Sequence, residues 1–431
     1  MMRSVNPATG TQLAEYQEHS PAQASERLVH CRKAYEQWSR LALAERTQVL
    51  AEAARLLRER RAELARLATL EMGKTLVSAE AEVEKCAWTC EYYAEHAAAM
   101  LAPERIASDA NDLSVRFDPL GVLLAVMPWN FPYWQSFRAA VPALAAGNTV
   151  ALKHASNVCG CALAMERLWR DAGAPEHAFT VLFVPGSRAS ALAAHDAVAA
   201  VTLTGGEAAG KAIAAAAGAA LKKVVLELGG SDAFLVLADA DVSHAARQAV
   251  SARILNSGQS CIAAKRFIVV ASVAERFETE FAAALAALRV GDPLDRDTDV
   301  GPLARPDLVD ELDRQVHASV AAGARLVVGG KRLQRQGCFY PPTLLTGVKP
   351  GMAAFDEETF GPLAAVTRAR DTAEAVKLAN HSRFGLAASI WTADSKAARE
   401  LAKSLEVGGV FVNVTERSDP RMPFGGIRCS G

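Results

Sequence analysis

Between residues 22 and 100 apolar side chains recur three or four positions apart. Val49, Leu50, Ala53, Leu56 and Leu57 form one stripe, with Arg55, Arg58, Glu59 and Arg60 opposite. That spacing predicts amphipathic helices, each packing one face on something else. From Gly121 the pattern changes. Apolar runs at Val122–Met127, Thr149–Lys153, 180–184, 199–203 and 223–226 alternate with helix-like stretches, the first starting at Tyr133. Such βαβαβ punctuation predicts a mostly parallel sheet covered on both faces, with ligands and motifs gathered at the carboxyl ends of its strands. A second alternating region runs through Ala233–Leu237, Phe267–Val270, Ala365–Arg368 and Val410–Asn413, predicting a second α/β domain at about 230–412. No internal repeat or low-complexity linker interrupts it.

The length of 431 residues agrees with at least two packed domains. With 51% apolar and 22% charged residues, the composition is that of a soluble globular protein. Lys plus Arg (47) nearly balances Asp plus Glu (48), so no net field draws the chain onto nucleic acid or an anionic membrane. Met1 to Pro7 lacks the apolar core of a signal peptide, and the Ala-rich run Ala212–Leu221 is too short to span a bilayer. The expected location is cytoplasmic. Eight cysteines without a secretory signal read as reduced thiols, and neither Cys86/Cys90 nor Cys159/Cys161 is followed by a second pair at zinc-ligand spacing.

Four segments carry candidate chemistry. In Pro128-Trp129-Asn130-Phe131-Pro132 two prolines fix the backbone around an amide side chain; alone, Asn130 reads equally as a turn or capping residue. Glu227-Leu228-Gly229-Gly230 puts a carboxylate at a strand end, beside glycines that let backbone or ligand approach. Glu227 is there either a solvated, ion-paired group or a base. Gly258-Gln259-Ser260-Cys261 places a thiol after a flexible turn, with Lys265-Arg266 close enough to lower its pKa. In Glu357-Glu358-Thr359-Phe360-Gly361-Pro362 a carboxylate precedes an aromatic ring by two residues, a pairing that could grip a ribose and brace a flat heterocycle.

In this order, these segments resemble the aldehyde dehydrogenase superfamily, and the resemblance extends from Asn6-Pro7-Ala8-Thr9-Gly10 to Pro423-Phe424-Gly425-Gly426. It implies an α/β fold with a Rossmann-type parallel-sheet cofactor domain (1–107 and 119–229), a second α/β catalytic domain (230–412), and a protruding oligomerisation sheet from 108–118 and 413–431. Family members continue past the position of Gly431 into an oligomerisation strand, so the last part of that sheet is expected to be incomplete. A homodimer or homotetramer is expected.

The resemblance also implies a mechanism. Cys261 attacks an aldehyde, Asn130 and the Cys261 N–H receive the oxyanion, and Glu227 activates the water that hydrolyses the thioester. No metal is required. The cofactor is NAD or NADP. By the same carry-over Lys153 meets the adenosine ribose, Thr204-Gly205-Gly206 the pyrophosphate, Glu358 the nicotinamide ribose, and Trp129 and Phe360 line the cofactor site. Gly206 stands where many relatives have serine, leaving only backbone contacts there. Ser156 stands where NAD-specific members often have glutamate; its hydroxyl, with His154 nearby, should tolerate the 2′-phosphate of NADP.

Trp129–Arg138, Lys153-His154-Ala155-Ser156 and Ser418-Asp419-Pro420-Arg421 resemble bacterial succinate-semialdehyde dehydrogenases. There Arg138 would bind the distal carboxylate, helped by Ser418, although Leu255 stands where some relatives present a second Arg. Competing readings are a dehydrogenase of neutral aliphatic or aromatic aldehydes, a CoA-acylating dehydrogenase, which should lack Glu227, and a silent structural protein of the same fold, which should lack Cys261.

Overall fold

The computed structural model describes residues 1–109 and 112–431. Positions 110 and 111, within the expected oligomerisation segment 108–118, lie outside the described residues. Two compact units are distinguished: Met1–Val5, Gln12–Glu71 and Ala79–Leu226 form the first, and Asn6–Thr11, Met72–Ser78 and Glu227–Gly431 the second.

The first sheet comprises β1 (Val122–Val126), β2 (Thr149–Lys153), β3 (Phe179–Val181), β4 (Val198–Thr204) and β5 (Lys223–Glu227), in the order β3-β2-β1-β4-β5. β1 runs parallel to both β2 and β4. The chain thus leaves β1 in one direction and returns on its other side, which makes the carboxyl ends of β1 and β4 the topological switch point, where open α/β sheets bind ligands. Asn130 follows β1 and Thr204 ends β4. Helices α1 (Trp134–Ala145), α2 (Cys159–Asp171) and α3 (Glu207–Ala219) follow β1, β2 and β4. Leu124, Val150, Ala151 and Leu152 are fully buried because helices cover the sheet. In the earlier helix Leu43–Glu59 the apolar stripe is inside at Leu50, Ala53, Leu56 and Leu57, whereas Arg55 lies outside, paired with Glu52 and Glu59.

The second sheet has seven strands: β6 (Ala233–Val236), β7 (Arg266–Val270), β8 (Arg325–Val328), β9 (Thr343–Thr346), β10 (Leu363–Ala369), β11 (Ala387–Trp391) and β12 (Gly409–Val412), in the order β8-β9-β10-β7-β6-β11-β12. Only the β8–β9 pair is antiparallel. Alternate residues feed two cores, Phe234, Phe267, Val366 and Trp391 on one face and Leu235, Ile268 and Ile390 on the other. Phe234 stacks on Trp391 at 4.9 Å between ring centroids.

Here one expectation is corrected. Cys261 and Glu358 precede β7 and β10, and Gly229-Gly230 precede β6, so these motifs sit at the amino ends of their strands. Their gathering has a simple cause: β6, β7 and β10 are parallel neighbours with Ala233, Arg266 and Ala365 side by side, so the three incoming loops share one sheet edge.

Glu104–Arg105 and Ser114–Val115 pair antiparallel. Near the end of the chain, Ile427–Arg428 pairs with Phe384–Gly385 of the same unit, and the Ser430 hydroxyl donates to Gly229 O. Among the described residues no helix is long and apolar enough to cross a membrane.

Candidate active site

In the second unit, helix α4 (Val242–Ile254) leads into backbone that is left-handed at three successive residues, Asn256 (φ 55°), Ser257 (φ 56°) and Gly258 (φ 79°). A non-glycine residue held there costs on the order of 1–3 kcal/mol and persists only where surroundings enforce it. They do so here. Gly301 N donates to Ser257 Oγ (3.0 Å), Ala304 N to Gln259 Oε1 (2.9 Å), and the buried Arg253 guanidinium to Gly258 O (2.7 Å). A side chain at Gly258 would place its Cβ 2.2 Å from Gly361 O, so only glycine fits. This turn delivers Cys261, half-buried, whereas Cys31, Cys86, Cys90, Cys159 and Cys161 are buried. Burial pushes the Cys31 thiol up to about 12.

Of the cations that follow, Lys265 interacts electrostatically with Cys261, as the sequence suggests, while Arg266 is turned away from it. Lys265 Nζ donates to Ser260 O, Cys261 O and Ala263 O, and the Arg266 guanidinium donates to the carbonyls of Ser231, Leu378 and Ala379. Main-chain oxygens crowd this turn and claim the donors.

The paired glycines are explained by what lies against them. Glu358 Oε1 accepts from Gly230 N at 3.0 Å, and a Cβ on Gly229 would fall 2.3 Å from Glu358 Oε2. A Cβ on Gly230 would fall 2.8 Å from Cys261 O. The motifs of Glu227, Cys261 and Glu358 therefore meet at Gly229-Gly230. Burial raises the Glu358 pKa, opposed by Lys265, the Gly230 N–H and Arg253. Glu227, at the end of β5, is buried, and Gly425 comes close to its Oε1. Thr359 is buried and Phe360 partly so. Ser418 is partly buried beside Asp419, whose carboxyl the Arg421 guanidinium holds down at about 2.

In the first unit, Asn130 is buried and Trp129 partly exposed. Their turn is braced by His154, whose Nε2 donates to Pro132 O at 2.8 Å while its Nδ1 accepts from Ala155 N at 3.0 Å. Burial lowers the His154 pKa to about 4, opposed by the Pro132 and Met127 carbonyls. His154, near Ser156 in sequence, is a neutral, enclosed imidazole that braces the Asn130 turn. Glu82 Oε1 accepts from Tyr133 N and Trp134 N, capping α1, and Glu71 does the same for Gly160 N and Cys161 N of α2. The sequence reading missed these caps. Each joins residues far apart in the chain, and no local signal marks them.

Lys153 ends β2 opposite Val126 and is buried, which lowers its pKa. Ser156 is exposed just beyond. At the end of β4 Thr204 Oγ1 accepts from Arg138 Nη2 at 3.1 Å, so the proposed substrate and cofactor residues touch. Gly206 caps α3 without a side chain, and nothing lies within 4 Å of where its Cβ would be. That opening at a helix amino end on the switch-point strand suits a pyrophosphate. Among the described residues no group of three or more His, Cys, Asp or Glu side chains could hold a metal ion.

The aldehyde dehydrogenase family model matches residues 1–431. The chain belongs to the aldehyde dehydrogenase family. A Synechocystis protein named "Probable succinate-semialdehyde dehydrogenase [NADP(+)]" is 49% identical over 99% of this aldehyde dehydrogenase and 94% of its own length. The Escherichia coli succinate semialdehyde dehydrogenase [NAD(P)+] is 46% identical over 99% and 93%. Among solved structures, the Streptococcus pyogenes succinic semialdehyde dehydrogenase in complex with NADP+ superposes with a TM-score of 0.98 at 34% identity, covering 100% of this chain and 95% of that one.

Proposed function

We propose that the protein oxidises succinate semialdehyde to succinate with NADP or NAD. What carries the reading is Cys261: a half-buried thiol on an enforced left-handed turn, with Gly229-Gly230 and Glu358 against it, in a chain 49% identical to the Synechocystis protein. The Cys261 thiolate attacks the aldehyde carbon, and the oxyanion accepts from the Asn130 amide and the Cys261 N–H, each such donor being worth about 2.7–4 kcal/mol. The nicotinamide dinucleotide, when bound, accepts the hydride that leaves this carbon as the thioester forms. Glu227 then takes a proton from the water that hydrolyses the thioester and frees the thiol. Lys153, Ser156, the Thr204-Gly205-Gly206 turn, Trp129, Glu358 and Phe360 hold the dinucleotide; the exposed Ser156 hydroxyl can donate to a 2′-phosphate that glutamate would repel. The working form in this reading is a cytoplasmic homodimer or homotetramer.

Arg138, with Ser418, binds the distal carboxylate, for which a guanidinium fork suits better than an ammonium. Its bond to Thr204 gives the neutral-aldehyde reading its foothold, because an arginine engaged in holding α1 to β4 has less to offer a substrate. Steady-state rates with each cofactor decide. Arg138→Ala should raise the KM for succinate semialdehyde at least roughly tenfold, about 1.4 kcal/mol, and leave butyraldehyde nearly unaffected. Equal effects on both aldehydes would assign Arg138 to structure and the enzyme to a neutral substrate.

A further inference from the structure

A peptide group is planar and trans, so its carbonyl and N–H point in opposite directions and whatever holds one aims the other. Ser260 O and Cys261 N belong to one such group, and Cys261 O to the next. Lys265 Nζ takes both oxygens, at 3.0 Å and 2.8 Å, and Ala263 O at 2.9 Å. An ammonium has three protons, and these three carbonyls match them. Lys265 is fully buried. Burying a charge carries a penalty of several kcal/mol, and apolar residues of similar size often fill such space as well or better. An apolar residue could not, however, hold three carbonyls on the two sides of a nucleophile.

We propose that Lys265 is a positioning residue for the chemistry at Cys261: it pins the Ser260–Cys261 peptide group so that the Cys261 N–H faces the developing oxyanion. The inference rests on the reading of Cys261 as nucleophile. A cation on the carbonyl oxygen also polarises the group and strengthens its N–H as a donor. A Cβ on Gly230 would fall 2.8 Å from Cys261 O, so the next peptide group has main chain packed against it as well. Lys265 touches no substrate and acts through the main chain alone.

The test uses Lys265→Met and Lys265→Gln in the full chain, beside Cys261→Ala. Loss of a whole oxyanion donor costs roughly 100- to 1000-fold in kcat, and a loosened donor should cost Lys265→Met at least about tenfold. The burst of NAD(P)H and the steady-state rate should both slow, since the tetrahedral species of both half-reactions use this N–H. KM for aldehyde and NADP binding should stay near wild type, and kcat should remain low even at a pH where Cys261 alkylation by iodoacetamide has reached its plateau and the thiolate is fully formed. Lys265→Gln keeps two N–H donors and should recover part of the loss. A folded Lys265→Met with wild-type kcat overturns the proposal; so does recovery of wild-type kcat at a pH where alkylation has reached its plateau, which would mean that the charge acts on the thiol alone. If Lys265→Met does not fold, Lys265→Gln decides by the same readouts. Turnover in Cys261→Ala would remove the underlying reading, whereas wild-type kcat in the Lys265 variants beside an inactive Cys261→Ala would sink this inference alone.

Discussion

In the proposed mechanism Glu227 and Cys261 divide the reaction between them, and a change of a single group separates their roles. Glu227→Gln keeps shape and removes the base, so hydride transfer should survive better than hydrolysis of the thioester. Stopped-flow absorbance should show a burst of NAD(P)H followed by slow turnover; wild-type turnover in a folded Glu227→Gln would remove Glu227 from the mechanism. Cys261, Glu227 and Glu358 stand out in the sequence as candidates only together, because their motifs in this order resemble the aldehyde dehydrogenase pattern, whereas Glu227-Leu228-Gly229-Gly230 alone is a weak signal. His154, Glu71 and Glu82 do not stand out. Their importance comes from where a buried ring or carboxylate meets main-chain groups distant in sequence. Lys265 was noticed for its charge, yet its direction depends on a turn that folds three carbonyls toward it.

The turn before Cys261 is the element on which the site depends. Gly258 meets both demands, a φ of 79° and backbone of Gly361 closing where a Cβ would be. Gly258→Ala should therefore destabilise the protein by more than the about 1–3 kcal/mol of the left-handed φ alone, because the Gly361 backbone must shift, with a fall in kcat as Cys261 moves. A melting temperature and kcat equal to wild type would show that the turn adapts freely. Elements were legible where apolar runs include β-branched residues: β1 to β7, β10 and β12 lie at or near the expected segments. β8, β9 and β11 were not found. β11 reads Ala-Ala-Ser-Ile-Trp, with two good helix formers and a buried serine, and only burial on both sheet faces makes it a strand. β9 reads Thr-Leu-Leu-Thr, two adjacent apolar residues between polar ones, with neither an alternation nor an apolar run to mark a strand.

At the scale of the molecule, two buried acids link stability to pH. Burial and the charge of Asp232 push Glu416 from 4.5 up to about 8, and burial pushes Asp232 up to about 7. The folded state thus holds protons that the unfolded chain has already released, so stability falls as pH rises toward the folded pKa values. For Glu416 the loss between about pH 6 and pH 8 should be about 2 kcal/mol. Glu416→Gln, neutral throughout, should flatten the pH dependence of the melting temperature over that range. An unchanged slope would show that Glu416 is ionised in the folded protein at neutral pH. A thioester on Cys261 is the intermediate on which the proposed reaction turns, and mass spectrometry of Glu227→Gln quenched after mixing with succinate semialdehyde and NADP would detect it. A succinyl group is expected on the peptide containing Cys261, close to one per chain, and none in Cys261→Ala. An unmodified Cys261 peptide alongside NADPH formation, or an adduct that persists in Cys261→Ala, would contradict the proposed reaction.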